Sequence, residues 1–120
     1  MFEIIDGFAP NVVAVRAVGS VSGADYETVL SPALERATTG DSKARFLIEL
    51  GSDFTGYDAS GIAADAGLGI GHLTDFERIA VVTDVHWLRD AIGIFGRLIQ
   101  GDVRLFAVDE AEAARAWIRE

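Results

Sequence analysis

The chain has 120 residues, half of them hydrophobic, with 19 acidic residues against 10 basic ones and a formal net charge of −9. That length supports one domain over residues 1–120, burying roughly two thirds of its unfolded surface, and leaves no room for a second. The negative field repels nucleic acid, whose binding draws on Lys and Arg, and opposes an anionic membrane surface, while the lack of cysteine removes disulfides and thiolate metal sites.

Met1-Phe2-Glu3-Ile4-Ile5-Asp6 holds two acids and no long apolar stretch, so it does not read as a secretion signal. No apolar run nears the ~20 residues that span a bilayer, and the expectation is a cytoplasmic protein. Phe2 to Ile5 and Val12 to Val18 read as strands joined through a Gly, Pro and Asn turn, which predicts an antiparallel hairpin. From Ser22 the period changes. Tyr26, Val29, Leu30, Ala33, Leu34 and Ala37 share one helical face. Ser22 is the expected N-cap, Asp25 suits the first turn, and Pro32 predicts a kink or restart.

Arg45 to Leu50 is the next strand. Asp58 to Leu73 has helical apolar spacing at Ile62, Ala66, Ile70 and Leu73, yet it carries Gly61, Gly67, Gly69 and Gly71. Each interior glycine costs about 0.5–1 kcal/mol relative to alanine, which makes this helix a candidate mobile lid. The strand Arg78 to Thr83 follows, with Ile79-Ala80-Val81-Val82 as a run suited to a central, doubly covered position. Asp84 is expected to open and cap a helix to about Leu98. Val103 to Val108 forms the last strand, and a helix from Glu110 has Asp109 as cap with Glu112 at capping-box spacing. Strand and helix alternate after the hairpin, so the predicted fold is α/β: a five-stranded, mixed but mostly parallel sheet with four helices.

In such a sheet, ligands meet the loops beyond the carboxyl ends of the strands. The loops Gly51–Asp58 and Thr83–Trp87 therefore bring forward Thr55, Ser60, Thr83, Asp84, His86 and Trp87 as residues that converge if their strands are neighbours. His72 and His86 are the only histidines, and both read as ordinary surface or boundary residues rather than ligands. Gly67-Leu68-Gly69-Ile70-Gly71 lacks the strand, spacing and Lys-Ser/Thr ending of a phosphate loop. Ser60 lacks the glycine two residues before it that a nucleophile elbow requires, and a triad with His86 is the weakest reading. On the helix after Asp84, Leu88, Ala91, Ile92, Phe95, Leu98 and Ile99 form the core stripe, bordered by Trp87 and Ile94. Those two either pack under a neighbour or form the lip of an apolar patch or pocket.

Phe46-Leu47-Ile48-Glu49-Leu50, the loop with Asp53, and Asp58-Ala59-Ser60-Gly61-Ile62 resemble the STAS domain of anti-sigma-factor antagonists, where a strand leads into D-S-S-G-L and the second serine is phosphorylated. By that resemblance Ser60 matches the phospho-acceptor, Asp58 the motif aspartate and Gly61 the motif glycine, while Ala59 replaces the first serine. Asp53-Phe54-Thr55-Gly56-Tyr57-Asp58, the stretch from Asp75 to Arg89, and Gly101 to Phe106 with Ala114-Arg115-Ala116-Trp117 are similar to the SpoIIAA-like family over nearly the whole chain. This implies the fold shared by STAS and CRAL-TRIO domains, helices packed largely on one face, and no enzyme activity.

Together these readings describe a non-enzymatic regulatory module that binds a protein partner through the strand-end loops and the Gly-rich helix, with a kinase acting on Ser60 and no cofactor or metal. The alternative is a carrier of a lipid or other apolar ligand with peripheral membrane contact. The candidate contact residues are Asp53, Phe54, Tyr57, Asp58, Ile62, Ile70, Thr83, Asp84, His86, Trp87, Ile94 and Phe95. A homodimer across a strand edge or the Trp87 patch is compatible with either.

Overall fold

In a computed structural model, the residues described are 1–38, 43–61, 75–98 and 101–120, the side chains of Phe95 and Leu98 excepted. Strand β1 (Phe2–Ile4) pairs antiparallel with β2 (Val12–Ala17), placing Phe2 opposite Ala17. Two short strands, β3 (Gly19–Val21) and β5 (Phe54–Tyr57), form a separate parallel pair. Strands β4 (Ala44–Leu50), β6 (Phe76–Thr83) and β7 (Asp102–Phe106) complete the main sheet in the order β1-β2-β4-β6-β7, parallel from β2 onward.

The predicted apolar runs occupy the centre. Phe46, Ile48, Ile79 and Val81 face one layer with Val13, Val15, Leu30, Leu34 and Leu88, while Leu47, Ala80 and Val82 face Ala114, Trp117 and Ile118 of the C-terminal helix (Ala111–Arg119). Burial on both sides explains why these strands read as continuous rather than alternating apolar sequence. The helix of residues His86–Phe95 lies on the first side through Leu88 and Ile92. No described helix is long and apolar enough to cross a membrane.

Pro32 acts differently from the predicted kink or restart. The helical segment runs as a short α turn (Gly23–Asp25), a π turn (Tyr26–Leu30) and an α-helix (Ser31–Ala37), with the Ser31 N–H donating to the Tyr26 carbonyl five residues back. Proline lacks an N–H and its ring presses on the carbonyl four residues earlier. A widened turn just ahead of it absorbs both without breaking the segment.

Three further details depart from the sequence reading. Gly19 begins a strand in a stretch to which the sequence assigned no element, and Phe54 begins one within an expected loop, because segments of three and four residues carrying Gly, Ser and Thr show no apolar alternation. Gly19 takes φ +65°, a left-handed conformation that swings the chain out of the main sheet into the second pair. At the last helix, Glu110 rather than Asp109 and Glu112 makes the capping contact: its Oε1 accepts the Ala107 N–H at 2.7 Å, and a 3₁₀ turn (Val108–Glu110) precedes the helix.

The second layer is held by charge as well as by apolar contact. Glu49, only 7% exposed, accepts two hydrogen bonds from Arg115 at 2.8 and 3.1 Å, with Arg16 3.9 Å away. Arg78 donates to the Trp117 carbonyl at 2.8 Å and Arg45 to the Ile118 carbonyl at 3.0 Å, so neighbouring strands satisfy the carboxyl end of the helix. The guanidiniums of Arg78 and Arg104 lie 5.1 and 4.9 Å from the Trp117 ring centre.

Removing one partner of a buried pair costs more than removing both, because a lone buried charge is left behind. Arg115→Ala is therefore expected to lower unfolding free energy by about 3 kcal/mol, and Glu49→Leu combined with Arg115→Leu by clearly less. Urea unfolding of the two variants checks this; equal losses would show that the pair acts only through packing.

Candidate functional site

The β3 and β5 pairing brings residues 19–23 against residues 54–61. The Asp58 N–H donates to the Val21 carbonyl at 3.1 Å, closing the end of the short sheet. A helical turn begins at residues 59–61, and Asp58 caps it: its Oδ1 accepts the Gly61 N–H at 2.8 Å and the Ser60 hydroxyl at 2.6 Å. Gly61 is required here, since any Cβ would collide with the Val21 carbonyl oxygen.

Ser60 is exposed, and its Oγ also accepts the Gly23 N–H at 3.0 Å. Gly23 opens the first helical segment, which Asp25 caps from within: its Oδ2 accepts the Ser22 N–H at 2.8 Å and the Ser22 hydroxyl at 3.1 Å. The Met1 amino group lies 3.3 Å from the same carboxylate. One hydroxyl thus joins the starts of two helical segments far apart in sequence. The Ser60 hydroxyl and then the Gly61 N–H hold the Asp58 carboxyl below the ordinary aspartate range, against desolvation and, more weakly, the like charge of Asp25. The Ser22 N–H chiefly does the same for Asp25, with burial opposing it.

A second group is aromatic. Phe54 and Tyr57 meet edge to face at 5.3 Å, and Tyr57 meets Trp87 in the same manner at 6.4 Å. Phe54 and Tyr57 are partly buried, whereas Trp87 is 52% exposed. This contact joins the two predicted loops, as expected for neighbouring strands β4 and β6.

The remaining candidates are distributed around these groups. The exposed Asp53 contributes its carbonyl, which accepts the Gly19 N–H at 2.6 Å. Thr83 is fully buried, and its hydroxyl accepts the Val85 N–H at 3.1 Å. Asp84 does not cap the following helix, which starts at His86 with Val85 in the cap position; its Oδ1 instead accepts the Val108 N–H at 3.0 Å, tying the ends of β6 and β7 together. His86 is exposed and pairs with Asp90 at 3.3 Å. No described contact joins it to Ser60, whose hydroxyl is engaged by Asp58 and Gly23. Ile94 is 68% exposed. Ile62, Ile70 and the Phe95 side chain lie outside the described residues, as does the Asp58–Leu73 helix beyond residue 61.

Arg89 was not singled out from sequence, although it binds the Thr83 and Phe106 carbonyls at 2.8 and 3.3 Å and so holds two strand ends. Its position on the polar face of a helix gives no sign of that role. Two cavities outlined by described residues lie elsewhere. One of 380 Å³ lies at the amino end of the parallel strands against Phe8, Asn11, Arg45 and Ile118, and one of 270 Å³ lies between Ile92, Gly96, Val103 and Leu105. Neither is lined by Trp87, and the apolar pocket expected beside the Asp58–Leu73 helix falls largely outside the described residues.

The family described as SpoIIAA-like matches residues 12–119. Among solved structures, the chain is similar to an uncharacterized protein of the DUF3478 family with a SpoIIAA-like fold from Shewanella loihica PV-4, at 23% identity and a TM-score of 0.74, covering 98% of this chain and 92% of the other. It is also similar to the anti-sigma factor antagonist SpoIIAA in its unphosphorylated form, at 13% identity and a TM-score of 0.57, covering 98% of both chains. At these identities the likeness is one of fold. No curated protein matches the chain.

Asp58 and Asp25 favour the folded state while ionised, because their folded pKa values lie below the unfolded ones. That contribution is complete above the ordinary aspartate value of about 3.9 and disappears as pH falls through the lowered values. The urea midpoint is therefore expected to hold from pH 7 to about 5 and to fall below about 4, less steeply in Asp58→Asn than in the wild type. Identical acid profiles for the two proteins would remove Asp58 as a contributor.

Proposed function

This chain belongs to the SpoIIAA-like family, and from that membership we propose that it is a non-enzymatic interaction module that meets a protein partner at the carboxyl end of its parallel strands, with Ser60 as a phospho-acceptor. The observation that carries the reading is the exposed Ser60 hydroxyl, held between Asp58 and Gly23 where two helical segments begin. Such a hydroxyl is accessible to a kinase, and its modification is felt by both segments.

Esterification removes the proton that Ser60 donates to Asp58 and adds about −1.5 to −2 charges. The Asp58 carboxylate then repels the group it had bonded. The Gly23 N–H still suits an anion, because it belongs to the positive end of a helical segment. The phosphate would therefore exchange the Asp58 contact for stronger backbone contacts and separate the start of the residue 59–61 turn from its cap. A partner that reads this surface would experience both a new charge and a shifted helix start. Asp53, Phe54, Tyr57, Asp58, Trp87 and the exposed face of the His86–Phe95 helix supply the surrounding contact surface.

The protein is to be incubated with ATP and the soluble fraction of its host, and its phosphosites mapped by mass spectrometry. Ser60 is expected to be modified, and a partner captured by the wild type is expected to bind about tenfold differently to Ser60→Asp. An unmodified Ser60, with capture indifferent to both Ser60→Ala and Ser60→Asp, would retire the switch.

A further inference from the structure

We propose that the exposed ring of Trp87, framed by Tyr57, seats a guanidinium or ammonium group carried by a basic segment of the partner protein. This rests on the reading that this end of the sheet is where a partner binds, and does not require Ser60 to be phosphorylated.

The two tryptophans of the chain are treated differently. Trp117 is buried beneath two guanidiniums, from Arg78 and Arg104, and Arg119 likewise lies 4.3 Å over the Phe8 ring. Trp87 is 52% exposed, and among the described residues no cation lies over it. Arg89, two residues along the same helix, is committed to the Thr83 and Phe106 carbonyls. The edge-to-face contact with Tyr57, itself braced by Phe54, fixes the indole in place rather than covering it. Tryptophan is the aromatic side chain that attracts cations most strongly.

Charge points to the same occupant. Asp53 precedes Phe54, Asp58 follows Tyr57, and Asp84 and Asp90 stand three residues either side of Trp87; all four are exposed. Five of the nine arginines, Arg45, Arg78, Arg104, Arg115 and Arg119, gather around the C-terminal helix, while on the Trp87 side Arg89 is held by carbonyls and Arg97 lies beyond Ile94. Exposed aspartates flanking the segments that carry the rings, with His86 facing Asp90 as the one titratable cation beside them among the described residues, disfavour an anionic bilayer or a phosphorylated segment and favour a basic one. Ile94 lies two helical turns beyond Trp87 on the same side and is 68% exposed, offering apolar contact to the aliphatic stem of an arginine or lysine.

The test is fluorescence anisotropy with a labelled peptide carrying three arginines in a glycine-serine background, against the same peptide with citrulline in their place, at about 0.15 M salt. The wild type is expected to bind the arginine peptide and not the citrulline one. Trp87→Leu, which keeps an apolar side chain and the net charge, is expected to bind about tenfold more weakly, with Trp87→Phe intermediate. The assay uses protein shown by mass spectrometry to carry no phosphate, so this outcome is read separately from the phosphorylation experiment. Circular dichroism of each variant confirms that it is folded. Equal binding by wild type and Trp87→Leu would assign the attraction to the overall field and overturn the proposal. So would no binding at about 1 mM peptide, or tighter binding to phosphatidylserine vesicles than to the peptide.

Discussion

The pairing of Glu49 with Arg115 is the constraint on which the second layer of this fold depends. Among the described residues one helix covers that face of the sheet, and the buried side chains it contributes are Ala114, Trp117 and Ile118. Apolar contact of that size would tolerate several positions of a helix on the sheet. A carboxylate buried in the third strand tolerates one, because it must receive the two parallel donors that a guanidinium offers. Such pairs add little net stability once desolvation is counted, and their value here is in fixing position. Arg45 and Arg78 extend that restraint to the carboxyl end of the helix.

On the opposite side, position is fixed by backbone. The short β3 and β5 pair carries Gly23 to Ser60, and Gly61 lets the chain pass against Val21 closely enough for that contact to form. Ser60 is therefore placed by the pairing of two segments about 35 residues apart, more than by its own helix. The aromatic contact between Tyr57 and Trp87 draws in the loop after β6, so the short sheet meets the start of the His86–Phe95 helix as well as the first helical segment.

Much of this was legible in the chain. The hairpin, the two central strands and the Ser22 and Asp25 cap follow from composition and spacing, since each is dictated by local apolar pattern or by turn chemistry. The motif around Ser60 was legible as well, but its bond to Gly23 was not, because contact between distant segments leaves no local mark. The same limit applies to Asp84. An aspartate just before a helix looks like a cap, and only the arrival of Val108 from another strand end shows a competing donor. The π turn was half legible: Pro32 announces a disturbance, but whether the chain breaks or widens depends on the packing of Tyr26 and Leu30, both buried.

Arg45 and Arg78 are direct neighbours in the register of β4 and β6. Side by side they repel; Glu77 of β6 offsets this with an ion pair to Arg45 at 3.0 Å, and the carbonyl groups of residues 117 and 118 take up both guanidiniums. During synthesis both strands, with Glu77, leave the ribosome before the helix whose carbonyls complete the hydrogen bonding of the two arginines. The edge where β4 and β6 begin is thus the last part of the central pairing to have its donors satisfied, which ties completion of the sheet to arrival of the final helix.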